Sequence, residues 1–471
     1  MRYVSTRGEA PPLGFGEAML AGLARDGGLY VPEAWPRLEP GVIAGFAGRP
    51  YAEVALEVMR PFVGDAIAEH DLARMAREAY GNFRHPAVAP LVQLGASDFV
   101  LELFHGPTLA FKDLAMQLLG RLMDHGLAAR GERTTIIVAT SGDTGGAAIE
   151  AFRGRARTDL FVLFPHGRIS DVQRRMMTTA ADDNVHALAI EGTFDDCQAI
   201  AKAMFNHHDF RDQVGLSGVN SINWARIAAQ VVYYFTAAAT LGAPHRKVSF
   251  TVPTGNFGDI FAGYVAARMG LPIDRLVIAT NVNDILARTL ATGTYDLREV
   301  VATSSPSMDI QVSSNFERLL FEATGRDAAV VRAQMASLAQ SGRFSLSSEA
   351  LSRIRALFNA DRADEEETAA TIRTTLRETT RLIDPHTAVG LAVAEKETRE
   401  PAVPMIVLGT AHPAKFPEAV EAACGVRPGL PDWLSDLPER PERATAMPVD
   451  QAAIEKFILA ASRAAREGAA A

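Results

Sequence analysis

The chain has 471 residues, of which 48% are hydrophobic and 22% are charged, a composition typical of globular domains. Its 47 Lys and Arg residues against 56 Asp and Glu residues give a formal net charge of −9, which argues against general nucleic-acid binding. The longest apolar stretch, 231–243, is shorter than the ~20 residues that cross a bilayer, and residues 1–6 lack the apolar core of a secretory signal. The two cysteines, Cys197 and Cys424, form no metal-binding motif, so we expect a cytoplasmic protein of roughly three domains, without a metal site and without nucleic-acid or membrane partners.

Two helical patterns follow the N-terminal region, in which glycine and proline are frequent up to residue 50. These patterns cover 52–59 and 71–79, and Pro86 and Pro90 then separate them from the rest of the chain. We therefore expect an N-terminal extension domain over 1–92.

Short runs rich in apolar and β-branched residues recur through the rest of the chain, and most are followed by glycine or polar residues and then by a helical pattern. These runs are 100–103, 135–139, 160–164, 185–190, 248–252, 276–280 and 405–408. Because they lack strict polar/apolar alternation, they indicate parallel strands that are buried on both faces. The pattern predicts an α/β fold.

Two segments in the C-terminal third of the chain depart from this alternation of predicted strands and helices. The stretch 326–382 is charged and helical in pattern with no strand signal, and we expect it to be a solvated helical insertion. Residues 460–471 are expected to form a fraying terminal helix.

Two glycine-rich segments each connect a predicted strand to a predicted helix. The first, 140–146, reads Thr-Ser-Gly-Asp-Thr-Gly-Gly, and the second, 253–259, reads Pro-Thr-Gly-Asn-Phe-Gly-Asp. Glycine allows a sharp turn, and the free N–H groups at a helix start can hold an anion. The first segment has neither the P-loop spacing nor the dinucleotide-binding spacing. The alternative to anion binding there is a tight turn without a ligand. Together the two segments indicate two anionic groups near one cleft.

Lys112 lies in the segment 105–113, His-Gly-Pro-Thr-Leu-Ala-Phe-Lys-Asp, near the predicted start of a helix. A helix N-terminus disfavours a cation by ~0.3–1 kcal/mol. The same field favours a neutral amine, the form that attacks carbonyl groups. The alternative is an exposed lysine on an amphipathic helix.

These three elements resemble those of pyridoxal-phosphate enzymes of the tryptophan-synthase-like type. Further blocks narrow the resemblance to the threonine synthase family, in its longer form with an N-terminal extension; they are 3–8, 22–32, 220–226, 313–318 and 410–416. The resemblance implies two parallel-sheet domains with pyridoxal 5'-phosphate between them. This two-lobed catalytic core would comprise 93–325 and 383–471, with a smaller mobile lobe at roughly 115–215.

The resemblance also implies residue roles. Lys112 would form a Schiff base with the cofactor and serve as the general acid/base. The other implied cofactor ligands are Gly255, Asn256, Phe257, Gly258 and Asp259 at the phosphate, Thr410 at the pyridine nitrogen, and Asp143 near the 3-hydroxyl. The implied substrate ligands are Ser141 and Thr144 at the carboxylate, and Asn220, Ser221, Asn223 and Arg226 at the phosphate. Shorter members of the family commonly have Asn at the position of Asp143.

Two of these phosphate assignments have alternatives. Arg226 is the natural fork for a phosphate, but it could instead bridge two helices. Asn315 and Arg318 repeat the spacing of Asn223 and Arg226 and form a weaker candidate pair.

The implied reaction converts O-phospho-L-homoserine and water into L-threonine and phosphate, which is the last step of threonine biosynthesis. We expect the protein to be a monomer or a homodimer. The enzyme would be a carbon-oxygen lyase that acts on a phosphate ester. One alternative is a phospho-lyase or dehydratase of the same fold that releases 2-oxobutyrate; the N-terminal blocks and 220–226 argue against it. The other is a non-enzymatic phosphate-binding or scaffold protein, which would have no need of Lys112.

Overall fold

The computed structural model describes residues 1–465. Its strands are β1 (Arg2–Ser5), β2 (Leu13–Gly14), β3 (Tyr30–Pro32), β4 (Leu91–Gln93), β5 (Asp98–Glu102), β6 (Thr134–Ala139), β7 (Thr158–Pro165), β8 (Val185–Ile190), β9 (Leu216–Ser217), β10 (Val248–Pro253), β11 (Ile273–Thr280), β12 (Thr294–Asp296), β13 (Arg343–Ser345), β14 (Phe358–Arg362), β15 (Met405–Gly409) and β16 (Thr445–Met447). Its helices are α1 (Phe15–Ala21), α2 (Pro40–Ala44), α3 (Tyr51–Val63), α4 (Glu69–Tyr80), α5 (Lys112–Arg130), α6 (Asp143–Phe152), α7 (Asp171–Thr178), α8 (Phe194–Asn206), α9 (His208–Gln213), α10 (Trp224–Thr240), α11 (Gly258–Arg268), α12 (Ile285–Thr292), α13 (Phe316–Ala323), α14 (Ala328–Ser341), α15 (Ser348–Arg355), α16 (Glu365–Thr379), α17 (Pro385–Lys396), α18 (Pro417–Cys424) and α19 (Gln451–Ala461).

The larger of two main sheets has six strands in the order β14-β11-β10-β15-β5-β4. Every neighbouring pair is parallel except β4 and β5. The central strands β10 and β15 are buried along their whole length, as a parallel sheet covered by helices requires. Helix α17 packs against β10, β11 and β15, and α11 packs against β10 and β11.

The smaller sheet has five strands in the order β16-β8-β7-β6-β9, and all of its pairs are parallel. The edge strand β16 comes from the C-terminal part of the chain, and α19 after it packs against α8 through Ile454 and Ile458. All seven strands predicted from apolar runs are present in the two sheets, so the predicted α/β fold with two parallel-sheet domains is confirmed.

The N-terminal region packs onto helices α5 and α10. Strands β1, β2 and β3 form an antiparallel sheet, while α3 packs on α10 and α4 packs on α5. The rings of Tyr3, Trp35 and Phe62 lie within about 6 Å of buried Trp224. The helices predicted at 52–59 and 71–79 are α3 and α4. The predicted boundary at residue 92 falls inside β4, which already belongs to the larger sheet.

The prediction that 326–382 contains no strand is wrong. Helices α14, α15 and α16 occupy most of it, but β13 pairs with β12, and β14 forms the edge of the larger sheet beside β11. The sequence of β14, Phe-Asn-Ala-Asp-Arg, is short and mostly polar, which suits an edge strand and hides it from a search for apolar runs. The helix predicted at 460–471 lies largely outside the described residues, and α19 ends at Ala461.

Residues 1–465 contain neither a candidate membrane span nor a candidate metal cluster. No helix there combines the length and the apolar character needed to cross a membrane. Within the same residues, no three His, Cys, Asp or Glu side chains are grouped so that they could hold a metal ion.

Candidate functional site

A cleft lies where loops from both parallel sheets meet the first residues of several helices. Ligands of α/β proteins bind at this edge, where the carboxyl ends of the strands face helix N-termini. The residues that line the cleft are Phe111, Lys112, Asp143, Thr144, Asn220, Ser221, Arg226, Gln230, Pro253, Thr254, Gly255, Asn256, Phe257, Gly258, Asp259, Ser307, Met308, His386, Thr410 and Ala411. All but two of the predicted site residues are in this set; the exceptions are Ser141 and Asn223.

Lys112 is the first residue of α5, as predicted, and only 12% of its side chain is exposed. Its Nζ lies 3.2 Å from Asp143 Oδ2 and 4.7 Å from the centre of the Phe111 ring. Burial lowers the pKa of Lys112; Asp143 opposes that change, while the positive charges of Lys415 and Arg226 reinforce it. The site thus favours the neutral, nucleophilic amine more than water does.

Asp143, the first residue of α6, has four polar side-chain partners in or beside the cleft. Besides Lys112, it contacts Lys415 Nζ at 2.6 Å, and it accepts hydrogen bonds from Gln173 Nε2 at 3.0 Å and Ser307 Oγ at 3.2 Å. Although burial disfavours the charged form, the ammonium groups of Lys415 and Lys112 hold the pKa of this carboxyl well below its ordinary value. Asp143 is therefore an ionised carboxylate near neutral pH.

The loop before α11 has the geometry of an anion cradle. Phe257 precedes the helix with a φ of 64° and makes no side-chain capping bond, so its side chain does not occupy the first N–H groups of α11. Gly255 lets the backbone pass close to Ser307, because a Cβ at this position would lie 2.7 Å from the Ser307 carbonyl oxygen. Free N–H groups and a helix N-terminus suit a phosphate.

Arg226 is a buried cation with unused donors. It is 2% exposed, its Nη1 donates to the Val219 carbonyl oxygen at 3.3 Å, and its Nε has no hydrogen-bond partner within the described part of the chain. Burial lowers its pKa to about 10, so the guanidinium stays charged near neutral pH. Because Val219 lies in the loop before α10, Arg226 does not bridge two helices. A buried, charged group with a free donor in a cleft indicates an anionic ligand.

Asp259, in the first turn of α11, places a carboxyl beside the cradle. Burial raises its pKa to about 7, and hydrogen bonds from the hydroxyls of Tyr233 and Tyr234 to Oδ1 only partly oppose this. Near neutral pH this carboxyl is therefore partly protonated, which reduces its repulsion of an anion. Lys415 and Arg226 then outweigh Asp143 in charge, and the cleft suits phosphorylated ligands.

The prediction for Asn223 is corrected by the structure, since its side chain is used within the fold. Asn223 caps α10 by accepting from the Ala225 N–H at 3.0 Å, and its amide donates to the carbonyl oxygens of Met19 at 2.8 Å and Gly218 at 3.0 Å. It is fully buried and has no donor left for a substrate. Ser141 lies beside the cleft, in the loop before α6, and does not line it.

The pair Asn315 and Arg318 is also structural. Arg318 is fully buried and donates to the carbonyl oxygens of Tyr30 and Ile222, and the Asn315 amide donates to the Asn256 carbonyl oxygen at 2.9 Å. Neither side chain lines the cleft, so this weaker pair joins the N-terminal region to the core.

Replacing Asn223 with alanine should therefore destabilise the protein. We expect the free energy of unfolding to fall by about 2 kcal/mol, because a helix cap and two buried hydrogen bonds are lost together. Urea unfolding followed by tryptophan fluorescence measures this change, since Trp224 adjoins the cap. Asn206→Ala, at an exposed position at the end of α8, is the matched control and should leave the midpoint unchanged. Equal midpoints for the two variants would contradict the structural role.

Sequence reasoning did not assign roles to several polar residues of the site. Lys415, Gln173 and Ser307 contact Asp143, and His386 Nε2 accepts from the Ser307 N–H at 3.2 Å. A signal existed for His386: Asp384 and Pro385 mark a helix start, which places the next residue at a helix N-terminus. Nothing local pointed to Gln173 or Ser307.

Comparison with known proteins gives matches over nearly the whole chain. Three family models match: the threonine synthase N terminus over 2–80, the pyridoxal-phosphate dependent enzymes over 84–408, and the C-terminal region of threonine synthase over 387–458. The threonine synthase of Pseudomonas aeruginosa is 55% identical over 97% of this chain and 98% of its own length. A pyridoxal-phosphate-bound threonine synthase from Brucella melitensis has a TM-score of 0.95 at 63% identity, covering 98% of this chain and all of that one. The yeast threonine synthase structure has a TM-score of 0.91 at 38% identity, covering 98% of each chain.

Proposed function

Because this chain belongs to the threonine synthase family of pyridoxal-phosphate-dependent lyases, we propose that its cleft converts O-phospho-L-homoserine and water into L-threonine and phosphate. One observation carries the proposal: Lys112 lies in the same cleft as two separate anion sites, the loop 255–259 and Arg226. A phosphorylated cofactor and a phosphorylated substrate require two such sites.

The residues of the cleft fit pyridoxal 5'-phosphate. The N–H groups at the start of α11, which the Phe257 side chain does not cap, and the close backbone approach at Gly255 suit its phosphate. The Thr410 hydroxyl is proposed to meet the pyridine nitrogen, and Asp143 to face the 3-hydroxyl. When bound, the cofactor withdraws electrons from the substrate and makes its carbon-bound protons acidic. A carboxylate partner would favour a protonated ring nitrogen. A neutral hydroxyl at this position does not require that protonation.

Lys112 is proposed to hold the cofactor and to move protons between substrate carbons. Its Nζ is the basic atom whose burial and positive neighbours favour the neutral form. A neutral amine can accept a proton at one carbon and return it at another, which general acid/base catalysis requires. The ionised carboxylate of Asp143, 3.2 Å away, stabilises the ammonium form while Lys112 holds the proton.

The substrate phosphate is proposed to bind Arg226, Asn220 and Ser221, which lie before and within the first turn of α10. The free guanidinium Nε of Arg226 supplies a charge-assisted donor. Thr144, at the start of α6, is proposed to hold the substrate carboxylate together with the helix N-terminus. Binding at both ends orients the substrate so that phosphate leaves the γ-carbon and water adds at the β-carbon.

Gly255→Ala should weaken retention of the cofactor. The added Cβ would lie 2.7 Å from the Ser307 carbonyl oxygen, so either the loop or the segment that contains Ser307 must move. We expect the dissociation constant for pyridoxal 5'-phosphate to rise about tenfold or more, because a misplaced cradle loses hydrogen bonds to the phosphate. Equilibrium dialysis measures it. Gly41→Ala, where a Cβ would meet nothing within 4 Å, is the control; equal affinities for both variants would refute this geometry.

The substrate assignment is tested by comparing two compounds that differ only in the phosphate. The purified protein with pyridoxal 5'-phosphate should form threonine from O-phospho-L-homoserine and none from L-homoserine, because only the first fills the Arg226 site and carries a good leaving group. Threonine formation at similar rates from both compounds would overturn the proposed role of the phosphate site.

We further propose the setting in which the enzyme works. Both cysteines, Cys197 and Cys424, are free thiols, which supports a reducing compartment such as the cytoplasm. We propose that the binding partner of the cleft is the small-molecule substrate O-phospho-L-homoserine. We also propose that the protein is a monomer or homodimer without nucleic-acid or membrane partners. The lobe at roughly 115–215 carries Asp143 and Thr144, and we propose that it moves to close the cleft and exclude water.

A further inference from the structure

Lys415 is a buried cation behind the cleft, in contact with Asp143, and the proposed reaction has no use for it. It ends the 3-10 turn Pro413–Lys415, which follows β15, and 1% of its side chain is exposed. Its Nζ lies 2.6 Å from Asp143 Oδ1 and donates to the Thr108 carbonyl oxygen at 2.8 Å. A buried ammonium group costs free energy unless it is fully paired. Its position therefore depends on Asp143.

Two lysines share this single carboxylate, one on each oxygen. Lys415 makes the shorter contact, 2.6 Å, and has a second acceptor in Thr108. Lys112 makes the longer contact, 3.2 Å. If both lysines were protonated, one negative charge would face two buried positive charges, and the less well paired ammonium would lose its proton first. That group is Lys112.

We propose that Lys415 is a positioning residue that neutralises Asp143 and thereby leaves Lys112 as a free amine able to capture the cofactor. The inference rests on the proposed role of Lys112. Without Lys415, the Asp143 carboxylate would pair with Lys112 alone and hold it as an ammonium ion. Only the neutral amine has a lone pair to form the C–N bond with the aldehyde carbon, and one water molecule leaves as they condense.

The other groups around Lys112 act in the same balance. Asp143 on α6 favours the ammonium form, and Lys415 after β15 and Arg226 on α10 disfavour it. On α11, Asp259 is near enough to interact with Lys112, but it is partly protonated near neutral pH and opposes the two cations weakly. Removing the Lys415 charge should raise the pKa of Lys112, so that the captured fraction at neutral pH falls and is restored as the pH rises.

The test measures the rate at which the full-length chain, freed of cofactor, captures pyridoxal 5'-phosphate. Absorbance is followed from about pH 6 to about pH 10, the range over which a buried lysine amine titrates. Lys415→Met should be about tenfold slower than the unaltered chain near neutral pH and should approach its rate at high pH. Lys415→Arg, which keeps the charge, should retain the original profile. Lys247→Met, which removes an exposed lysine paired with Asp274 away from the cleft, should leave the profile in place.

Asp143→Asn should displace the pH profile of cofactor capture in the opposite direction. This variant tests the proposal if Lys415→Met does not fold. Without the carboxylate, Lys415 and Arg226 repel a proton on Lys112 with only weak opposition from Asp259, so the profile should move to lower pH. The proposal is overturned if the Lys415→Met profile coincides with that of the unaltered chain, or if Lys415→Arg is displaced as far as Lys415→Met. An undisplaced Asp143→Asn profile would also overturn it. A chain with the expected displacements that forms no threonine would instead refute the proposed function.

Discussion

Lys112→Ala is expected to reduce threonine formation by about 10³-fold or more, since one amine both holds the cofactor and transfers protons. The variant should also lose the visible absorbance of the bound cofactor. Initial rates of threonine formation and the absorbance spectrum of the purified protein measure the two effects. Both follow from an amine at the start of α5, 3.2 Å from Asp143, whose neutral form is favoured by burial.

The control for this variant is Lys247→Ala, which removes an exposed lysine paired with Asp274 and should retain full activity. Lys112→Arg separates charge from nucleophilicity, because a guanidinium keeps the positive charge but cannot serve as the amine. We expect it to be as inactive as Lys112→Ala. Substantial threonine formation by either Lys112 variant would contradict the role assigned to this side chain.

Arg226→Met should raise the KM for O-phospho-L-homoserine by about 10²-fold, because a buried phosphate loses its charge-assisted partner. We expect kcat to change less, since Arg226 is proposed to bind the substrate phosphate rather than to move protons. In the unaltered enzyme, burial lowers the pKa of Arg226 to about 10, so KM should rise as the pH passes above that value and the guanidinium loses its charge. Steady-state kinetics as a function of pH measures both effects.

Arg211→Met provides the matched control, because Arg211 is another largely buried arginine that lies outside the cleft and contacts the Leu23 carbonyl oxygen. It should leave KM unchanged even where it lowers stability. If Arg226→Met had an unchanged KM and a much lower kcat, the group would not be a ground-state phosphate ligand, and the substrate phosphate would bind elsewhere.

Much of the fold and of the cleft could be predicted because the signals are local. Apolar runs without alternation mark strands buried on both faces, and a glycine-rich segment after such a run marks a helix start that can hold an anion. Both rules hold for β6, which is followed by the glycine-rich loop before Asp143, and for β10, which is followed by the loop that contains Gly255. The main sheets depend on these runs, whereas the polar edge strand β14 and the three-residue strand β16 carry no such signal.

The remaining features depend on contacts between distant parts of the chain. Ser307 meets Asp143 across 164 residues of sequence, and no periodicity reports such a pair. Asn223 shows the opposite error: the motif places a polar residue beside the site, but the helix cap and the carbonyl oxygens of Met19 and Gly218 use all of its donors and its acceptor. A family motif therefore includes residues that build the site as well as residues that line it.

The product balance of the purified enzyme with pyridoxal 5'-phosphate and O-phospho-L-homoserine tests the proposed function most directly. Phosphate, threonine and 2-oxobutyrate are measured in the same time course. We predict threonine equal to phosphate and no 2-oxobutyrate, because the substrate, held at both ends, completes the addition of water. Phosphate matched by 2-oxobutyrate would contradict the proposed function and indicate a lyase that releases the product before water adds. Absence of phosphate would contradict the substrate itself.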